Sequence, residues 1–165
     1  MASWPAVERP VRLRLSNKSL GLEAAQALRD YVAAHAAQLA HLAALELGDV
    51  IASRPEDEAL QVLGTLSAAL ASLAPPCRFA SLDLSDNALG AKGVAACRAL
   101  LAQASLRAVR LCNNGLSAEA VQLLADIVLA GGAALRLLHM YNNMSGDGGA
   151  HAASRLLRGL AASLS

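Results

Sequence analysis

One short pattern of leucines and a polar residue recurs along the chain, and this recurrence restricts its fold more than any other feature. Residues 82–89 read Leu-Asp-Leu-Ser-Asp-Asn-Ala-Leu, or L-x-L-x-x-N-x-L in general form. The pattern fits residues 109–116, and it fits 138–144 with methionine as the second apolar residue. Two weaker copies lie at residues 13–20 and 45–51. Such recurrence indicates a solenoid, in which each unit buries its apolar face against its neighbours.

The length of the unit follows from the second apolar position of each copy. These positions are 15, 47, 84, 111 and 140, so the intervals are 32, 37, 27 and 29 residues. Leucine-rich repeats have units of roughly 20–29 residues, and these intervals lie at or beyond the long end of that range. Between the copies the apolar period changes from 2 to about 3.6, as a strand followed by a helix requires.

The sequence therefore predicts an α/β fold, a leucine-rich-repeat solenoid of the ribonuclease-inhibitor type. It has about five strand-helix repeats and a concave parallel sheet. We expect residues 1–11 to form a lead-in and residues 12–165 to form the repeat domain. We also expect these repeats to be the amino-terminal part of a longer array, because the last helix would expose Leu157 and Leu160 with no capping repeat.

The helical segments carry apolar stripes and start signals. Ser117 is predicted to cap one helix, and Ser53 with Glu56 has the spacing of a capping box, with Pro55 in the first turn. The expected stripes are, unit by unit, Ala24, Leu28, Val32, His35 and Leu39; Leu60, Leu63, Leu66, Leu70 and Leu73; Val94, Cys97, Leu100 and Leu101; Val121, Leu124, Ala125 and Val128; and Ala150, Ala153, Leu157 and Leu160, on a helix from about 147 to 164.

Composition excludes several classes of protein. An apolar fraction of 55% with a net charge of +1 is not that of a disordered chain. Near-neutral charge and only 2% aromatic residues argue against nucleic-acid binding. The most apolar long stretch, residues 31–47, contains polar side chains, so we expect no membrane insertion. Three cysteines, an odd number without a C-x-x-C pair, predict reduced thiols, with Cys97 and Cys112 in the core and Cys77 as the third.

Two polar rows follow the strands. The asparagines of the repeat pattern, Asn87, Asn114 and Asn143, are expected to bond the backbone of their tight loops. The positions just before them have no evident structural duty and favour recognition of a partner; they are Asn17, Asp49, Asp86, Asn113 and Asn142. On the strands themselves, alternation places a further set on the concave face, namely Arg14, Glu46, Asp83, Arg110 and His139.

No enzyme constellation is evident. The chain has neither G-x-x-x-x-G-K-[ST] nor G-x-G-x-x-G, and the glycine-rich segment 146–149 lacks a lysine, so we expect no bound nucleotide or other cofactor. The histidines His35, His41, His139 and His151 lack metal-ligand spacing, so no metal site is expected; His35 is taken as a partly buried core residue.

The loop of the second unit departs most from the pattern. This loop lies at the beginning of the longest interval, which runs from position 47 to position 84. It places Arg54 before three carboxylates, Glu56, Asp57 and Glu58. An arginine at the start of a helix stands at the end where the helix dipole favours anions. Two interpretations remain open: Arg54 pairs with Glu56 or Glu58, or it is presented to a partner.

At these loops the chain resembles the leucine-rich-repeat GTPase-activating proteins of the Ran GTPase, most closely the plant and algal form. The resemblance is carried by residues 15–21, by Ser-Arg-Pro-Glu-Asp-Glu-Ala-Leu at 53–60, by residues 82–94, and by His-Met-Tyr-Asn-Asn-Met-Ser-Gly-Asp-Gly-Gly at 139–149. The chain departs from the family in having fewer repeats and no acidic tail. It also has only Trp4-Pro5-Ala6 where plant members carry the Trp-Pro-Pro motif of nuclear-envelope targeting.

The resemblance implies a mechanism. Members of this family dock on GTP-bound Ran and hold its own catalytic glutamine in place, with no arginine finger. Carried over by position, Arg54 and Asn113 would serve the catalysed reaction, with Asn114 as an alternative register for the second. Asp49, Asp86 and Asn142 would line the same loop edge and contact Ran. With Asn114, and with Arg110 and His139 of the concave face, they make up the expected partner-binding residues. The resemblance implies a cytoplasmic protein, with the nuclear envelope as a further location, and an activator that has no substrate chemistry of its own.

A second function stays open. The same repeats would suit a non-catalytic scaffold that binds a protein on its concave face, with Arg110 and His139 among the contacts.

Overall fold

Five short parallel strands form one sheet in the computed structural model, which describes residues 11–73 and 78–162. The strands are β1 (Arg12–Arg14), β2 (Ala44–Glu46), β3 (Ser81–Asp83), β4 (Ala108–Arg110) and β5 (Leu137–His139), and they lie side by side in chain order. The predicted lead-in up to residue 10, its Trp4-Pro5-Ala6 segment, Cys77 and the end of the predicted last helix lie outside the described residues.

Helices return the chain from each strand to the next. They are α1 (Leu22–Ala34), α2 (Ala36–Leu39), α3 (Glu56–Ala71), α4 (Gly90–Ala96), α5 (Arg98–Leu101), α6 (Ala118–Ala130) and α7 (Gly146–Ala162). Consecutive units touch helix to helix and strand to strand. The predicted α/β leucine-rich-repeat solenoid is confirmed.

The pairing of the strands follows the repeat pattern. The central residues Leu45, Leu82 and Val109 pair across neighbouring strands and are fully buried. In every strand, the residue that follows the central one also stands opposite its counterpart in the next strand. These five residues form a single line across the sheet, and they are Arg14, Glu46, Asp83, Arg110 and His139. The alternation predicted for the concave face is therefore confirmed.

The core is a long stack of mainly leucine, valine and alanine side chains that includes the fully buried ring of Phe79, and a second, small cluster consists of Ala25, Val62 and Leu66. The predicted stripes of the third and fourth units are buried in full, as are Leu63, Leu66, Leu70 and Leu73 of the second. Small residues let the helices approach each other. A Cβ at Gly131 would lie 2.3 Å from the carbonyl oxygen of Ala102, and one at Gly159 would lie 2.4 Å from a methyl of Leu129.

One predicted helix cap is confirmed and the other is wrong. Ser117 caps α6, where its Oγ accepts a hydrogen bond from the N–H of Ala120. Ser53 does not cap α3: its φ of 61° is left-handed, and the cap is Pro55, which has no side-chain hydrogen bond to offer. The chain turns at Ile51–Arg54 before the helix begins, so the S-x-x-E spacing does not place Ser53 at the helix end.

Two predicted stripes are out of phase. On α7 the buried residues are Ala152, Leu156 and Leu160, whereas Ala150 is exposed and Leu157 is 61% exposed. The expected exposure of Leu160 is therefore wrong. The phase of α7 follows from its contact with α6, because a side chain at Gly148 would collide with Ala118 and one at Gly159 would collide with Leu129.

In the first unit, Ala25 rather than Ala24 is buried, and α1 ends at Ala34 with His35 as its C-cap. The half-buried ring of His35 stacks on Tyr31 at 4.1 Å between ring centres.

We expect Gly131→Ala to lower the free energy of unfolding by about 1–3 kcal/mol, because the new methyl group collides with backbone rather than with a flexible side chain. The matched control is Gly64→Ala inside α3, where nothing lies within 4 Å of the new Cβ. That change should raise the free energy of unfolding by about 0.5–1 kcal/mol, since alanine favours a helix interior. Urea denaturation measures both, and shifts of the same sign would contradict this account of the packing.

Burial of Cys97 predicts a loss of stability at alkaline pH. Burial raises the pKa of its thiol from 9.0 to about 12. Below pH 9 the thiol is protonated in both the folded and the unfolded chain, so its contribution is constant. Between pH 9 and pH 12 only the unfolded chain releases the proton, which favours unfolding by up to about 1.4 kcal/mol per pH unit. Cys97→Ala should therefore show a shallower fall of unfolding free energy over this range than the unaltered chain.

Candidate functional site

The polar row that precedes the repeat asparagines has a structural duty that the sequence analysis missed. All five of its members have left-handed backbone, with φ of 59°, 52°, 62°, 54° and 55° at Asn17, Asp49, Asp86, Asn113 and Asn142. Asparagine and aspartate adopt this conformation more readily than other side chains with a Cβ. The sequence did carry a signal for this conformation, because an Asn or Asp lies two residues after the second apolar position of every copy of the pattern.

The backbone of this row extends the hydrogen bonding of the sheet. The N–H of Asp86 donates to the carbonyl of Cys112 at 2.9 Å, and that of Asn113 donates to the carbonyl of Tyr141 at 3.3 Å. Asn17 and Asp49 bond the units after them in the same way. The loops are therefore held to one another at a fixed spacing, and the side chains of the row stand along one edge of the solenoid.

The repeat asparagines form the predicted internal ladder. Asn87 Oδ1 accepts from the N–H of Val50, and its Nδ2 donates to the carbonyls of Leu47 and Leu84. Asn114 Oδ1 accepts from the N–H of Asn87 at 2.9 Å, while its Nδ2 donates to Leu84. Asn143 continues the ladder into the last unit.

Asn114 is therefore an interior residue. It is 0% exposed, and both ends of its amide bond the backbone of a neighbouring loop. The suggestion that it contacts a partner is not supported by this position. Of the two registers left open by the resemblance, Asn113 is the exposed one.

Three exposed side chains of the polar row are bonded to each other. Asn113 Nδ2 donates to Asp86 Oδ1 at 2.6 Å, and Asn142 Nδ2 donates to Asn113 Oδ1 at 2.5 Å. We call Asp86, Asn113 and Asn142 the amide relay. It crosses three consecutive units on the surface and places Asn113 at its centre.

Arg54 is fastened to the unit before it. Its Nε donates to Ser19 Oγ at 3.1 Å and its Nη2 donates to the Ser19 carbonyl at 2.9 Å. Ser19 Oγ in turn donates to the carbonyl of Ala52, and Arg54 Nη1 lies 3.7 Å from Glu58 Oε1. The side chain of Arg54 is 33% exposed.

Glu58 completes this junction between the first two units. Its Oε1 also accepts from the N–H of Leu22 at the start of α1, so one carboxylate serves both the arginine and a helix end. A Cβ at Gly21 would lie 3.1 Å from that oxygen and 3.3 Å from Arg54 Nη1. Of the two carboxylates considered for Arg54, Glu58 is its partner, while Glu56 pairs with Lys92.

A groove separates the Arg54 loop from the amide relay. It has a volume of about 590 Å³ and lies between residues 51–54 and 88–93, with Leu60, Leu63 and Leu89 among its apolar lining. The ion pair of Glu56 and Lys92 joins α3 and α4 beside it, and this hydrogen bond and charge raise the pKa of Lys92. Arg54 and Asp86 both line the groove. One wall of the groove, residues 51–54, belongs to the longest interval of the repeat, which runs from position 47 to position 84.

The remaining predicted residues lie on the concave face. Glu46 pairs with Arg12 and Arg14 at 3.1 and 3.4 Å, and Arg110 Nη1 donates to Ser81 Oγ at 3.4 Å. His139 is exposed, and its ring is 6.3 Å from that of Tyr141. Tyr141 is 67% exposed, and a hydrogen bond with the Cys112 thiol is the main cause of its raised pKa.

The structure therefore brings Asp86, Asn113 and Asn142 into direct contact and places Asp49 in the same row. It sets Arg54 across a groove from them, and Arg110 and His139 on the adjoining sheet. In the part of the chain that the structure describes, no group of three or more His, Cys, Asp or Glu side chains could hold a metal ion. Across residues 11–73 and 78–162, no helix has the length and apolar character needed to span a bilayer.

Comparison with known proteins gives two relatives. The "RAN GTPase-activating protein 1" of Arabidopsis thaliana is 39% identical over 90 residues, which are 54% of this chain and 16% of that protein. The "RAN GTPase-activating protein 2" of the same plant is 43% identical over 90 residues, 54% of this chain and 15% of that protein. The resemblance to Ran GTPase-activating proteins is confirmed.

The resemblance is partial in extent. The matched part of the chain spans about a sixth of the length of these curated relatives. No family model matches the chain.

The two adjacent asparagines of the fourth unit should differ sharply in their effect on stability. Asn114→Ala leaves the buried N–H of Asn87 and the carbonyl of Leu84 without this partner, so we expect the free energy of unfolding to fall by about 2–4 kcal/mol. Asn113→Gly keeps a residue suited to the left-handed φ and removes only surface bonds, so its effect should stay within about 0.5 kcal/mol. Similar losses in urea denaturation would contradict the division into ladder and relay.

Proposed function

We propose that this chain activates GTP hydrolysis by a Ran-type small GTPase in its GTP form. It docks on the GTPase and orients that protein's own catalytic glutamine, and it inserts no arginine finger. Two relatives named for this activity support the proposal, since they match just over half of the chain. In this role the chain is an activator without substrate chemistry of its own, acting in the cytoplasm, including its border with the nuclear envelope.

The exposure of Asn113 at the centre of a bonded row carries the proposal. A primary amide offers both a donor and an acceptor, so it can pair with the side-chain amide of a glutamine. Holding that glutamine in place orients the attacking water, and orientation with charge placement supplies most of the rate in phosphoryl transfer. Loops fixed at their left-handed residues and bonded to their neighbours provide the rigid support that such positioning needs.

The contacts of Arg54 favour a role in docking over a role as a finger. To reach into another protein's active site, its guanidinium would have to leave Ser19 and Glu58. In its observed position, the Arg54 side chain holds the first two units together at one wall of the groove. About a third of that side chain remains exposed and can contact a partner.

The docking surface would then run from the Arg54 loop across the groove to the part of the polar row from Asp49 to Asn142, and onto the concave face; Asn17 lies outside it. The residues proposed to contact the GTPase, besides Arg54 and Asn113, are Asp49, Arg110 and His139. Asp86 and Asn142 lie on this surface on either side of Asn113 and are bonded to it.

The second candidate is a non-catalytic scaffold that binds a protein on the concave face. The line of charged and polar side chains across the sheet, from Arg14 to His139, favours this alternative. It requires binding without any change in GTP hydrolysis.

Single-turnover hydrolysis by GTP-loaded Ran distinguishes the two functions. We expect the chain to raise the rate by orders of magnitude and Asn113→Gly to lower that stimulation by about 100-fold or more, the scale on which misplacement of an orienting group acts. Asn17→Gly is the matched control, since it makes the same change at the same left-handed position three units earlier. Stimulation should survive in that control.

Failure of the unaltered chain to stimulate hydrolysis would defeat the proposal. Binding that persists without stimulation, and that Arg110→Ala or His139→Ala weakens, would establish the scaffold instead.

A further inference from the structure

We infer that Asp86 is a positioning residue for Asn113: its carboxylate fixes which end of the Asn113 amide faces which way, and Asn142 holds the other end. The inference rests on the proposed function. It gives Asp86 and Asn142 a role that acts through Asn113, in place of the direct contact with a partner that their position in the row implies.

The direction of the relay follows from the chemistry of its members. An ionised carboxylate only accepts hydrogen bonds, so the Nδ2 of Asn113 must face Asp86. The Oδ1 of Asn113 then faces Asn142, which donates its own Nδ2. The two ends of an amide have nearly the same size, so packing alone would not distinguish one orientation from the reverse. The charge of Asp86 makes that choice.

The bonds within the relay leave a defined set of groups for a partner. Asn113 keeps one N–H and one oxygen lone pair, both with directions set by its neighbours. An unbonded Asn113 would present either end, and one would have to be selected when the catalytic glutamine is positioned for attack. Prior orientation removes that entropic cost from the transition state.

The left-handed backbone does not by itself explain an aspartate at position 86. Asn17, Asn113 and Asn142 adopt the same conformation as asparagines, so an amide would satisfy the backbone equally well. What Asp86 adds is a charged acceptor directed at the residue of the next unit. A charge-assisted hydrogen bond is about twice as strong as a neutral one, which suits a residue that must hold an exposed amide in water.

Two substitutions at position 86 separate positioning from contact. Asp86→Gly removes the carboxylate and relaxes the left-handed backbone, so the fold is not put under strain. Asp86→Asn can present either an oxygen or an NH2 group to Asn113, so it should restore the orientation and the function only in part. Asn17→Gly is again the matched control.

The first measurement uses the isolated chain and does not depend on any GTPase. The side-chain NH2 signals of Asn113, identified in NMR spectra by their loss in Asn113→Gly, should shift toward those of a free amide in Asp86→Gly. They should stay near their original positions in Asn17→Gly and take intermediate positions in Asp86→Asn. Unchanged signals in Asp86→Gly would overturn the positioning role.

The second measurement is the steady-state rate of Ran-GTP hydrolysis as a function of Ran-GTP concentration. We expect Asp86→Gly to lower kcat by about 10-fold or more with KM changed less than about twofold, because orientation matters in the transition state and not in docking. A raised KM with kcat unchanged would make Asp86 a contact residue and overturn the inference. A chain that shows the NMR response but no stimulation before substitution would defeat the proposed function, while the orientation of Asn113 by Asp86 would stand.

Discussion

The structure depends on how it satisfies the backbone of five tight loops that leave a sheet of three-residue strands. Asn87 and Asn114 do this from inside, because each buried amide bonds both a carbonyl and an N–H group of the loop before it. Buried backbone groups without partners would cost more than such a thin core could offset. The spacing of the loops, and with it the position of every exposed residue between them, follows from this ladder.

The exposed polar row results from the same constraint. A ladder residue must point inward, so the residue before it points outward with left-handed backbone, as Asn113 does beside Asn114. Asparagine and aspartate suit that backbone, and they also bond each other across the gap between units. A conformational requirement of the loops has thus supplied a line of polar groups at fixed spacing. Arg54 lies at the other wall of the groove, where the repeat is longest.

Local patterns predicted the parts of the fold that local chemistry determines. The strands, the concave row and the Ser117 cap follow from side-chain alternation and from one hydroxyl at a helix start. The phase of α7 could not be predicted, because Leu156 and Leu157 are equivalent in sequence and only contact with α6 distinguishes them. At the site, sequence indicated the loop edge, but the bonds of Asn113 and the anchor of Arg54 on Ser19 depend on contacts between distant units.

The ladder also determines how disturbance spreads. Asn114 is bonded to the third unit through Asn87 and to the fifth through Asn143, so a fault at the fourth unit uncouples both neighbours. An array joined only by such nearest-neighbour bonds loses order from a fault outward, and its sections melt independently. The residues proposed for activity span that junction, so the chain would lose its function at a temperature where much of its helix content is still present.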